Sequence, residues 1–214
     1  MRFRPTLPVL ISAWSLMLFA LLTAAVIKGT ALALDMRVRS AVHASASRSL
    51  TLAATILSAM AMLSMLIPAS AVIALCFSIQ RRYRAATAVV VTMGGAILLN
   101  AGLKIAIGRP RPLPFFGFNP ETFSFPSGHV LFATCFLGGL VLLLEHGTKA
   151  RTLAWPVVAT VVCAVAWSRV YLGAHYPSDV VAGLLIGFFW LAALCGAGLF
   201  RMTGAPSPPL ERLL

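Results

Sequence analysis

The sequence predicts an all-α, polytopic membrane protein: a bundle of six transmembrane helices. Three observations lead there. Apolar residues make up 60% of the 214-residue chain and charged residues only 10%, against roughly 25% charged in a soluble domain. So few charges cannot cover a globule, and so apolar a chain is not a disordered one. The apolar residues also gather in six runs near the length that crosses a bilayer, and the polar clusters that interrupt them fall on one side of such a bundle.

A helix needs roughly 20 apolar residues to cross a hydrocarbon core ~30 Å thick. The first run, Pro8 to Ile27, carries no charge and follows Arg2 and Arg4. It is longer than the apolar stretch of a cleaved signal peptide and reads as a retained anchor. Residues 28–49 are mildly polar, with Arg37, Arg39 and Arg48 among apolar residues, which suits a short interfacial helix. The second run, Leu50 to Ile79, contains Pro68. Its 30 residues would reach about 45 Å as one helix, so it is either one long span or two short ones. The third covers Ala85 to Leu103, the fourth Ser127 to Leu144, the fifth Thr152 to Trp167 and the sixth Ser178 to Phe200. Gly183 and Gly187, Gly94-Gly95 and Gly138-Gly139 would let helices approach closely. The domain is expected over 1–203, and the proline-rich segment 204–214 as a flexible cytoplasmic tail.

Loop charge decides between six and seven spans. With six, Arg2, Arg4, Arg81, Arg82, Arg84, Lys149, Arg151, Arg201 and Arg212 share one side. Splitting the second run would carry the Arg81-Arg82-Tyr83-Arg84 cluster across the membrane. The excess of cations on the cytoplasmic side therefore favours six spans with both termini inside. A net charge of +12 is common in nucleic-acid binders, but its residues sit in short separate loops and form no basic face. Cys76, Cys135, Cys163 and Cys195 lie singly in apolar runs, without the paired spacing of a zinc site or disulfide framework.

Three polar clusters remain: Lys104 to Pro112, Phe125 to His129, and Ser168 to Asp179. All three fall on the outer side. Lys104, Arg111 and Arg169 would converge with Asp179 as the one acid nearby, and cations so concentrated at a membrane boundary call for an anion. Arginine forks match phosphate oxygens. Ser127 and Gly128 begin a helix, whose free N–H groups favour an anion too. His129 and His175 can divide phosphoryl transfer between them, one attacking phosphorus and one protonating the leaving oxygen. Asp179, four residues after His175, can hold one imidazole nitrogen if a helix starts near Pro177. Only five acids occur, Asp35, Glu121, Glu145, Asp179 and Glu211, few for a metal-centred mechanism. No metal and no cofactor is expected.

At these positions the sequence resembles the type 2 phosphatidic acid phosphatase (PAP2) superfamily. Lys104 and Arg111-Pro112 match its Lys-x6-Arg-Pro element, Pro126-Ser127-Gly128-His129 its Pro-Ser-Gly-His element, and Ser168-Arg169, His175 and Asp179 its Ser-Arg-x5-His-x3-Asp element. The resemblance implies that His175 is the nucleophile and forms a phosphohistidine, that Asp179 orients it, and that His129 protonates the leaving group. It implies that Lys104, Arg111, Ser127, Gly128 and Arg169 hold the phosphate and that no metal takes part. The spacing alone leaves open which histidine attacks.

The expected activity is hydrolysis of a lipid phosphomonoester or diphosphate at the outer face of a cytoplasmic membrane. Undecaprenyl diphosphate, phosphatidylglycerol phosphate, phosphatidic acid and lipid A phosphates are the candidate substrates. Transfer of the phosphoryl group to another lipid or sugar, and binding or transport without catalysis, are the alternatives. Vanadium haloperoxidases share the phosphate pocket, but six apolar spans speak against that soluble class. Arg109 is assigned equally to a second phosphate or head group and to the membrane surface, Asn100 to the bundle interior, and Glu121 to a solvated loop.

Overall fold

The structure is a computed structural model that describes residues 7–116 and 122–200. Arg2, Arg4, Glu121, Arg201, Arg212 and the 204–214 tail lie outside the described residues. Among the described residues there are eight helices and no strand: α1 (Leu7–Ile27), α2 (Leu32–Ala44), α3 (Arg48–Met60), α4 (Leu63–Ile79), α5 (Tyr83–Ile107), α6 (Gly128–Leu143), α7 (Lys149–Tyr171) and α8 (Pro177–Gly196). Four of them, α1, α5, α7 and α8, are each long and apolar enough to cross a membrane. The second apolar run is two helices, α3 and α4, bent by 44° and qualifying only as a pair. The bend falls at Ala61 and Met62; Pro68 sits inside α4, where it leaves the Ser64 carbonyl without its usual helical N–H. Helix α6 has 16 residues, short for a span. The chain is an integral membrane protein, with four candidate spans among the described residues, or five if the bent pair crosses as one.

α8 is the central helix, with α1 along one side and α6 along another; α6 also packs on α5 and α7, α4 on α5, and α3 on α7. Close approach is made by glycine. A Cβ on Gly183 would lie 2.6 Å from the Ser127 carbonyl oxygen, and one on Gly187 2.8 Å from Thr134 Cγ2. Gly95 accommodates the Trp190 ring, Gly138 meets Leu191 and Gly139 meets Thr92, whereas Gly94 faces open space. The helix faces turned away from the bundle carry Leu10, Trp14 and Leu21 on α1, Leu98 and Ile105 on α5, and Leu153 on α7, which is the pattern of a lipid-facing surface.

Helices α5 and α7 run further than their apolar stretches. Lys104 is therefore in the last turn of α5, and Ser168 and Arg169 in the last turn of α7. α5 ends on Gly108, whose left-handed φ of +63° turns the chain into Arg109-Pro110-Arg111. The short helix expected within 28–49 is α2, which packs against α7 and α8.

Candidate active site

The three polar clusters meet at one end of the bundle. Tyr176 extends the chain before Pro177 opens α8, and this places Asp179 in the helix's first turn. Its carboxylate accepts from the Tyr176 N–H at 2.9 Å and lies 3.4 Å from His175 Nδ1. Both side chains are sealed from solvent, at 1% exposure for His175 and 0% for Asp179. A carboxylate at Nδ1 assigns the ring's proton to that nitrogen. The lone pair is then on Nε2, which faces Arg111 Nη1 at 3.2 Å. Burial pushes the His175 pKa down to about 4; Asp179 opposes this and the Arg169 and Arg111 charges add to it. The imidazole is neutral at pH 7, as a nitrogen nucleophile must be.

Arg111 is held at every nitrogen. Nε donates to the Thr122 carbonyl at 2.7 Å, Nη2 to Thr122 Oγ1 at 2.9 Å and Nη1 to the Ala174 carbonyl at 2.9 Å. Burial lowers its pKa from the usual arginine value, and it remains a cation. Lys104 donates to the Phe123 carbonyl and Arg169 to Ser58 Oγ on α3. His129, in the first turn of α6, lies within electrostatic range of Arg169, His175, Arg111 and Lys104. The Ser127 N–H donates to the Asp179 carbonyl at 2.9 Å, tying the start of α6 to that of α8. Ser127 Oγ and Arg169 Nε are buried without a hydrogen-bond partner. Orphaned buried donors are costly, and a phosphate oxygen is a partner of the right chemistry for each. The backbone at Gly128 leaves little room: a Cβ there would lie 3.0 Å from Asn100 Oδ1. Asn100 in turn donates to the Pro126 carbonyl at 3.3 Å, so it supports the turn that carries Ser127. The structure thus brings Lys104, Arg111, Ser127, Gly128, His129, Arg169, His175 and Asp179 into one site. Among the described residues, no group of three or more His, Cys, Asp or Glu side chains is placed to hold a metal ion.

Two residues that sequence reasoning left aside belong to this assembly. Arg109 turns inward, not to a second head group or the membrane surface. Its Nη1 is 2.6 Å from Asp179 Oδ1, its Nη2 is 2.8 Å from Asp35 Oδ2, and its guanidinium lies 4.1 Å from the centre of the Tyr176 ring. Asp35 on α2 is 2% exposed. It accepts from the Ser178 N–H at 2.9 Å and from Ser178 Oγ at 2.6 Å. Asp35 and Asp179 are 144 residues apart in sequence, so no spacing could link them; the one hint was an acid alone on a face shared with Arg39 and His43, one and two turns on. Those two pin the loop after Pro112: Arg39 donates to the Leu113 carbonyl and lies 4.0 Å from the Phe115 ring centre, and His43 stacks on Phe115 at 3.6 Å.

The PAP2 superfamily model matches residues 85–201, more than half of the chain. The lipid A 1-phosphatase of Rhizobium etli is 38% identical over 135 residues, covering 54% of this chain and 53% of that protein. The chain thus spans about half the length of that relative. The undecaprenyl-diphosphatase of Sulfolobus acidocaldarius is 31% identical over 149 residues, covering 67% of this chain and 68% of that protein. In fold, the chain is similar to the transmembrane PAP2-type phosphatidylglycerolphosphate phosphatase of Bacillus subtilis. That match has a TM-score of 0.81 and 24% identity, covering 91% of this chain and 98% of the other. With the motif residues gathered at one end of an all-helical bundle and this match across its second half, the chain belongs to the PAP2 superfamily.

Proposed function

We propose that this protein is a metal-independent membrane phosphatase that hydrolyses a lipid phosphomonoester or the terminal phosphoanhydride of a lipid diphosphate. The observation that carries the reading is a buried His175 held through Nδ1 by Asp179, with Nε2 turned to the Arg111 guanidinium at 3.2 Å and the Arg169 charge in range. In the first step His175 Nε2 attacks phosphorus, a P–N bond forms and the bond to the leaving oxygen breaks. His129 gives that oxygen its proton. Asp179 holds the Nδ1 proton and balances the positive charge that the ring acquires. Lys104, Arg111, Arg169, Ser127 Oγ and the N–H of Gly128 receive the phosphoryl oxygens and their growing charge. A water deprotonated by His129 then attacks phosphorus, the P–N bond breaks and inorganic phosphate leaves.

Arg111 Nη1 lies 3.2 Å from Nε2, so attack on phosphorus requires this guanidinium to move off the nitrogen and onto phosphate. The names of the relatives supply the candidate substrates: lipid A 1-phosphate, undecaprenyl diphosphate and phosphatidylglycerol phosphate. Phosphatidic acid completes the set. In the proposed topology α1, the α3–α4 pair, α5, α6, α7 and α8 are six spans of a cytoplasmic membrane, with both termini inside and the site at the outer face. The short α6 begins below the membrane surface because its N-terminus carries the phosphate site. The test is phosphate release by purified protein in detergent with EDTA, from each of these four lipids, for wild type and His175→Ala. Release that survives chelation and is lost in the variant, with acid-labile phosphate trapped on the wild type, is the expected result. A folded protein that releases phosphate from none of them overturns the hydrolase reading.

A further inference from the structure

The structure assigns to Asp35 and Arg109 a positioning role in catalysis: from α2, Asp35 anchors Arg109 and Ser178 so that Arg109 holds the Asp179 carboxylate in line with His175 Nδ1. The inference rests on the phosphatase reading above and extends it to a helix that carries none of the three motifs. Arg109 is a fork between two carboxylates, with Asp179 Oδ1 at 2.6 Å and Asp35 Oδ2 at 2.8 Å. Ser178 closes the ring: its Oγ accepts from Arg109 Nη1 at 2.7 Å and donates to Asp35 Oδ2 at 2.6 Å, while its N–H donates to Asp35 Oδ1 at 2.9 Å. Asp35 therefore also caps, from another helix, a buried first-turn N–H of α8 that has no partner within the helix. With Arg109 on Oδ1, Asp179 has only Oδ2 to offer, and that oxygen meets Tyr176 N–H and His175 Nδ1. The carboxylate cannot rotate, and neither can the imidazole.

A buried triad of two acids and one arginine is a poor source of stability, because desolvation offsets the attraction. Its charge has another use. Asp35 and Asp179 together outweigh Arg109 by one negative charge, which matches the positive charge His175 acquires on attack. Without Asp35, Arg109 would draw on Asp179 alone.

The experiment measures kcat and KM for phosphate release by wild type, Asp35→Asn, Asp35→Glu, Arg109→Gln, the Asp35→Asn/Arg109→Gln double variant, and Arg37→Gln on the exposed face of α2 as control. Charged hydrogen bonds of this kind correspond to losses on the order of ten- to a hundredfold. Asp35→Asn should lose that much in kcat with KM within about threefold, because the phosphate clamp is untouched. Asp35→Glu should recover part of it, and the double variant should be no worse than Arg109→Gln alone. An unchanged kcat in Asp35→Asn, a loss confined to KM, or additive losses in the double variant would overturn the inference. A second readout separates it from the phosphatase reading: the downfield proton resonance of His175 Nδ1–H, identified by its absence in His175→Ala. It should shift or vanish in Asp35→Asn, and its persistence unchanged overturns the inference even if wild type releases no phosphate from any lipid. Where Asp35→Asn does not fold, Ser178→Ala, which removes the hydroxyl between Asp35 and Arg109, carries both readouts.

Discussion

At the scale of single residues, the site is a contest between burial and charge. His175 sits 1% exposed beside one carboxylate and within range of two arginines. Desolvation wins, so its pKa falls to about 4 from the ordinary 6.5. The sign follows: between pH 6.5 and 4 an unfolded chain would bind a proton here and the folded protein would not. Stability from this group is complete above about 6.5 and is lost as pH falls toward 4. A nitrogen-15 titration of the imidazole should give a midpoint near 4, with the signal assigned by its loss in His175→Ala; a midpoint near 6.5 would mean that water reaches the ring. The eight motif residues were legible because each lies within a few residues of its partners in a cluster. Asp35 and Arg109 were not. Arg109 looked like a surface cation beside Arg111, and only the turn after Gly108 shows that the two arginines point to different partners: Arg111 to His175, Arg109 to the carboxylates behind it.

At the scale of elements, the ends of helices matter more than their middles. The sequence stretches ended where apolar residues ended, yet α5 and α7 each continue through their cations. Lys104 and Arg169 are thus placed by helix geometry and not by loops. Glycine sets how near α6 and α8 can come. Gly183 faces the Ser127 carbonyl, so Gly183→Ala forces a Cβ toward backbone that cannot step aside. Overpacking of this kind costs about 1–3 kcal/mol. The expected outcome is a lower thermal midpoint in detergent together with a loss of kcat/KM, since the strain is relieved by moving the turn that holds Ser127. Gly94→Ala, facing open space, should leave both unchanged. Equal behaviour of the two variants would show that the α6–α8 contact is loose.

At the scale of the whole molecule, charge and apolar length govern how the chain lies in the membrane. The proposed six-span topology would put residue 46 on the outer face and residue 147 on the cytoplasmic face. Single cysteines in a background with Cys76, Cys135, Cys163 and Cys195 replaced report this directly. A maleimide that cannot cross membranes should label Ala46→Cys in intact spheroplasts and should reach Gly147→Cys only after lysis; the reverse pattern would invert the proposed topology. By itself, the sequence determined the all-helical membrane character, the family motifs and the residues proposed to meet phosphate. These depend on composition and short-range spacing, which one chain displays in full. Tertiary structure alone decided that the second apolar run bends by 44° at Ala61 and Met62, that His175 turns Nδ1 to Asp179 and Nε2 to Arg111, and that Asp35 on α2 reaches Asp179 through Arg109. Those features follow from desolvated packing between distant segments, where a buried carboxylate must find a cation wherever the fold places one.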